Sequence, residues 1–158
     1  MKATGEHSMS WHEANQAHLM HELSVIREAL DPERKDRSER SHSDPHPMEP
    51  PPALHRLCHA FNLSPFETEI LLLCAGVELD GSFPQIIGAA RGDSRQNYPT
   101  FGLALSALSG PHWSAISPAG ALRRWRLIEV TAADSLVNSR IRIDERVRGD
   151  VVVDREQP

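Results

Sequence analysis

The sequence predicts a mainly α-helical domain that ends in a small β-hairpin and is preceded by an N-terminal helix and a linker. Three observations carry that reading. Helix-start signatures recur along the chain at Ser10-Trp-His-Glu13, Ser64-Pro-Phe-Glu67 and Ser82-Phe-Pro-Gln85, each a hydroxyl followed three residues on by Glu or Gln. The run Ile70 to Val77 is almost wholly apolar, as in a helix covered on several sides. Strand composition appears only late, at Leu127-Ile-Glu-Val-Thr131 and Ile141-Arg-Ile143.

The 158 residues and their 39% hydrophobic content allow one folded domain plus an arm, not two domains. Ser10 caps the first helix, along which Leu19, Leu23, Ile26 and Leu30 build a narrow apolar stripe before Asp31-Pro32 ends it. A stripe this thin fits its own core or an intermolecular coiled contact equally well, so a protein partner, or a second copy of the chain, is expected on those four residues. Residues 31–52, DPERKDRSERSHSDPHPMEPPP, hold Met48 as their one apolar side chain among charges and prolines. Such a segment cannot offset its ordering entropy, so a disordered linker is expected, stiffening at Pro50-Pro51-Pro52.

The folded domain is expected over 53–147, with 1–30 as the amphipathic arm and 148–158 as a tail. Leu54, Leu57, Cys58 and Phe61 space as a short helix. The helix opened by Ser64, with Pro65 at its first position, is the expected core, and the next, through Ile86, Ile87, Ala89 and Ala90, should stop at Gly92. Thr100 caps a helix carrying Phe101, Leu103, Ala104, Ala107 and Leu108, and Ser117-Pro118 starts another over Ala119 to Arg126, with Leu122 and Trp125 turned inward. The two strands follow, and helices that close on a hairpin spell a winged-helix shape.

The composition excludes much chemistry. Cys58 and Cys74 are the two cysteines, and both lie in apolar helical patterns, which reads as reduced, buried thiols in a cytoplasmic protein. No apolar run approaches the ~20 residues of a membrane span, so no membrane partner is expected. His55-x-x-Cys58-His59 and His18 with His21 lack the second ligand pair of a zinc site, and neither metal nor cofactor is expected. There is no G-x-S-x-G, no G-x-x-x-x-G-K-[ST], and no nucleophile beside a base. A non-enzyme is expected. The Arg-Gly-Asp triplets at 91–93 and 148–150 are chance matches.

Arg123, Arg124 and Arg126 precede the hairpin, and Arg140 and Arg142 lie on its second strand. These five are the candidate nucleic-acid contacts, because the helix before a wing enters the major groove and arginine reads guanine. A net charge of -5 and the neighbouring Glu129, Asp134, Asp144 and Glu145 oppose that reading. Leu122 and Trp125 fix the inward face, so Arg123 and Arg124 splay to opposite sides, and a solvated, salt-bridged surface is expected for these arginines; Arg123 and Arg124 are kept as the protein-partner contacts on the domain.

Phe61-Asn-Leu-Ser-Pro-Phe-Glu67, Leu71-Leu-Leu-Cys-Ala-Gly-Val-Glu-Leu-Asp80, Tyr98-Pro-Thr-Phe-Gly-Leu-Ala-Leu105, Leu122-Arg-Arg-Trp-Arg-Leu-Ile-Glu129 and Arg142-Ile-Asp-Glu-Arg146 together resemble the N-terminal winged-helix region of bacterial AAA+ ATPases found with phage-tail-like contractile injection systems. The resemblance covers about residues 53–147. It implies a non-catalytic domain that positions a AAA+ motor on its substrate or neighbours. After Val147 this sequence departs from the family's path toward the Walker motifs, so ATP binding is carried over to no residue here. The alternative expectation is a winged-helix DNA-binding regulator.

Overall fold

The computed structural model describes residues 10–31, 33 and 48–152. Helix α1 spans Trp11–Ala29, α2 Ala53–Ala60, α3 Pro65–Leu79, α4 Phe83–Arg91 and α5 Phe101–Ala107. A 3-10 turn follows at Trp113–Ile116, then α6 at Ala121–Arg124, strands β1 at Ile128–Thr131 and β2 at Arg140–Ile143, and α7 at Glu145–Val152.

Helix α3 is the centre. Ser64 Oγ accepts from the Glu67 amide at 3.1 Å and Glu67 Oε1 accepts from the Ser64 amide at 3.0 Å, the reciprocal cap that the sequence predicts. From Ile70 to Gly76 every residue is buried, and α1, α4, α6 and β2 all pack against the helix. The apolar run is thus explained by neighbours on several sides.

One of those neighbours decides between the two covers that the stripe allowed. Leu19, Leu23, Ile26 and Leu30, the expected partner contacts, are 0 to 5% exposed and belong to the same core cluster as α3. Helix α1 is therefore a wall of the domain, not a reaching arm, because the apolar side of α3 needs a cover that no other element supplies. Asn15, also buried, ties the wall at its ends: Oδ1 accepts from the Ala53 amide at 2.9 Å, and Nδ2 donates to the Val151 carbonyl at 3.3 Å. Trp11 Nε1 donates to the Pro50 carbonyl at 2.6 Å, so the proline end of the expected linker is anchored. Most of that linker, residues 32 and 34–47, lies outside the described residues.

Local chemistry differs from expectation at two other ends. Ser82 sits at the α4 N-cap in helical geometry without a side-chain cap bond; Asp80 Oδ1 instead accepts from its amide and hydroxyl at 3.0 and 2.7 Å. The Ser82 hydroxyl is thus spent as a donor to the carboxylate, a strong acceptor, and the helical backbone of Ser82 is not the extended geometry of a capping serine. Gly92 closes α4 at φ 75 as expected, and Thr100 Oγ1 caps α5 through the Leu103 amide at 3.1 Å. Helix α7 runs to Val152 with Val147 and Val151 buried against α1 and α2, so the folded part passes the expected boundary at 147. Residues 153–158 lie outside the described residues.

The wing is antiparallel, with Ile128 opposite Ile143 and Val130 opposite Ile141. Ile128, Ile141 and Ile143 face the core while Glu129 and Arg142 face out, the alternation of a half-buried ribbon. Thr100 pairs with Arg140 as an isolated bridge, and Gly102 donates to the Val137 carbonyl at 2.9 Å. The start of α5 is thereby stitched to the wing.

Two carboxylates couple this scaffold to pH. The Ser82 hydroxyl and amide, then Arg27, hold the Asp80 carboxyl below its usual range. At Asp144 burial works against the charged form, but the Arg146 side chain and the amides of Arg146 and Val147 together outweigh it and also lower it. A carboxyl lowered on folding stabilises above its unfolded value, and that contribution is lost as pH falls through the folded value. Urea unfolding at stepped pH should show a plateau near neutrality and a decline below about pH 4. Asp80→Asn and Asp144→Asn should each flatten the decline and lower the plateau.

Candidate interaction face

The order α5, 3-10 turn, α6 and wing is a helix-turn-helix followed by a hairpin. In DNA-binding proteins of this plan the second helix lies in the major groove. Here that position is held by α6, a helix of four residues, about 6 Å long at 1.5 Å per residue. The expected helix over 119–126 is shorter because Gly120 becomes its N-cap and Arg126 leaves helical space at φ 54. The Leu127 amide donates to the Leu122 carbonyl at 2.9 Å and the Arg126 amide to the Arg123 carbonyl at 3.2 Å, the paired bonds of a Schellman turn. Glycine is the usual residue at this left-handed position, and arginine there carries strain of about 1 kcal/mol or more.

Helix α2 ends the same way. Leu63 donates to the Cys58 carbonyl at 2.9 Å, Asn62 to that of His59 at 3.2 Å, and Asn62 takes φ 52. The residues at the two helix ends, Phe61 and Trp125, meet with ring centroids 6.0 Å apart. Trp125, expected to turn inward, is 50% exposed; Leu122 alone fills the inward position of α6, since one turn offers room for a single buried side chain. Trp113, on the 3-10 turn that packs against α6, is 68% exposed.

The five candidate arginines do not converge. Arg123 Nη1 donates to the Ile116 carbonyl at 3.0 Å and so braces the 3-10 turn. The Arg124 guanidinium lies 5.0 Å over the Trp125 ring. Arg126 is exposed. Arg140 instead lies 5.0 Å over Tyr98, whose ring also meets Arg91 at 4.6 Å. Arg142 pairs with Glu78 at 3.2 Å and Glu129 at 3.9 Å. The α6 segment therefore gathers Arg123, Arg124 and Arg126, while the wing arginines serve the scaffold.

Other candidate chemistry dissolves on inspection of partners. A hollow of about 310 Å³ is lined by Glu129, Arg142, Ile143, Glu145 and Arg148, but Arg148 bonds Glu78 at 3.2 Å and approaches Glu145 at 3.8 Å, so its charges neutralise one another. His112 bridges Ser64 Oγ at 2.8 Å and Ser114 Oγ at 2.7 Å, yet Ser64 is occupied as the α3 cap. Burial raises both thiols, Cys58 and Cys74, away from the reactive thiolate. Among the described residues no three His, Cys, Asp or Glu side chains group as metal ligands would, and no helix is long and apolar enough to cross a membrane.

Sequence reasoning passed over Phe61, Trp113 and the exposure of Trp125. The available signal was charge: no Asp or Glu occurs between Asp93 and Glu129, or between Glu49 and Glu67, and these two stretches supply the aromatic face.

The family model described as "Winged helix domain, variant" matches residues 2–157. No curated protein and no solved structure matches the chain.

Proposed function

Because the chain belongs to the winged-helix domain family in its variant form, we propose that it is a non-catalytic protein-interaction module that positions a AAA+ ATPase on its substrate or neighbours. The AAA+ assignment rests on the sequence resemblance over residues 53–147. The observation that carries the protein-binding reading is the replacement of a recognition helix by one turn, α6, flanked by exposed Trp113 and Trp125. A helix of one turn reaches few base edges, whereas tryptophan and arginine dominate the binding energy of protein interfaces. The module acts by docking and performs no bond chemistry of its own.

The exposed Arg124 and Arg126 favour a second reading, duplex DNA binding, and a single design separates the two. The chain should co-elute with a AAA+ ATPase module from its own source on size exclusion, and should not retard a labelled duplex even at low salt. A duplex affinity that falls steeply with salt, and that disappears in Arg123→Ala with Arg124→Ala, would replace the proposal with a DNA-binding regulator. Absence of an ATPase complex would remove the motor from the reading.

A further inference from the structure

The ends of α2 and α6 bring two aromatic rings, Phe61 and Trp125, together beside Arg124 and Arg126. We infer that the face built by Phe61, Trp125, Arg124 and Arg126 binds an acidic peptide segment carrying an apolar anchor residue. The inference rests on the protein-interaction reading above and names the partner's chemistry.

Charge complementarity commits the face to that occupant. The chain as a whole is acidic, at -5, yet the stretches that build the face, 50–66 and 111–128, contain no acidic residue and hold Arg56, Arg123, Arg124 and Arg126. Among the described residues Arg124 and Arg126 make no ion pair, in contrast to Arg142 and Arg148, which are paired to Glu78. The converging helix ends bring partial negative charge of roughly half a unit each at most, less than the two full guanidinium charges beside them. Arg124 stacked on Trp125 keeps its N–H edge free to fork a carboxylate while the ring fixes its orientation.

The same stacking disfavours single-stranded nucleic acid. One face of the Trp125 indole is covered by Arg124 and its ring is tilted at 46° to Phe61, so it offers less open surface for a base to stack. A net acidic molecule also repels a polyphosphate more strongly than a peptide with a few carboxylates. The Phe61 and Trp125 rings form instead a partly wet aromatic ledge suited to a leucine or phenylalanine.

Arg126 supplies an independent sign. Its left-handed φ of 54 is a position that glycine fills without strain, so the arginine occupies the position against the local backbone preference. Strain of this kind concentrates where a side chain serves binding.

The test uses the full chain and a short fluorescein-labelled peptide of aspartates and glutamates carrying one leucine and one phenylalanine, read by fluorescence polarisation. The amide version of the peptide, with Asn and Gln replacing the acids, and an oligothymidylate of similar length serve as competing probes. The acidic peptide should bind, the amide peptide should bind ~10-fold more weakly or not at all, and Arg124→Glu and Trp125→Ala should each cost ~10-fold or more. Arg126→Gly should weaken binding while raising the melting temperature, a pair of opposite changes that loss of fold cannot produce. Arg95→Ala should leave affinity unchanged. Equal binding of the acidic and amide peptides, tighter binding of oligothymidylate, occupation of the face by a second copy of the chain, or wild-type affinity in Arg124→Glu would each overturn the inference. If the AAA+ complex forms while the acidic peptide does not bind, the inference fails and the interaction function stands; if oligothymidylate binds best and no complex forms, both fail.

Discussion

Ile26→Ala should lower the free energy of unfolding by about 2–5 kcal/mol, although Ile26 lies in the first helix of a chain whose next segment is rich in charge and proline. The side chain is 0% exposed and sits in the cluster that contains Ile70, Leu72 and Leu73. Truncation removes its transfer free energy and leaves a cavity between α1 and α3 that two rigid helices cannot close. Ile26→Asp should go further and abolish cooperative folding at ambient temperature, because an isolated buried carboxylate costs several kcal/mol against a total stability of about 5–15 kcal/mol. Urea unfolding followed by circular dichroism checks both. A mobile arm predicts the reverse, a change within about 0.5 kcal/mol, as expected here for Met20→Ala on the exposed side of α1. The experiment thus decides whether α1 belongs to the domain.

Gly76→Ala should also destabilise, against the usual rule for a helix interior. Alanine gains about 1 kcal/mol over glycine in a helix, but a Cβ at this site would overlap the ring of Phe83, which is itself fully buried. The overlap falls on ring carbons with no room to retreat, and overpacking of about 1–3 kcal/mol offsets that gain and leaves a net loss of up to about 2 kcal/mol. In a Phe83→Ala background the obstacle is gone, and the same substitution should become stabilising by the propensity gain. Phe83→Ala alone should cost about 3–5 kcal/mol. The double-mutant cycle should therefore show a coupling of about 1–3 kcal/mol between residues 76 and 83. Additive effects would mean that the glycine is present for another reason than the ring.

These two sites mark where sequence reading reached its limit. The glycine at 76 interrupts the apolar run Ile70 to Val77 without any turn signal, and only the placement of Phe83 from the next helix accounts for it. The stripe of Leu19, Leu23, Ile26 and Leu30 fitted a partner or a core equally, since a pattern of spacings states which side is apolar and not what covers it. The candidate face shows the same limit: Arg123, Arg124 and Arg126 were legible as a basic cluster, but Phe61 is 64 residues from Trp125 in the chain, the difference of their positions. Its partnership with Trp125 depends on two separate helices ending in the same left-handed turn. Arg140 and Arg142 looked alike in sequence and were assigned elsewhere by Tyr98 and Glu78.

What the sequence determined by itself was local. The Ser64 and Glu67 cap, the Thr100 cap, the Gly92 stop and the alternation along the strands of the wing follow from interactions spanning a few residues, whose free energies are fixed by neighbouring side chains and backbone dihedrals. The tertiary structure decided the wall formed by α1, the length of α6, the extension through α7 and the exposure of Trp125. Those depend on which apolar surface meets which, and burial is non-directional: many arrangements satisfy the same pattern, and close packing selects the one in which α3 is covered on every side.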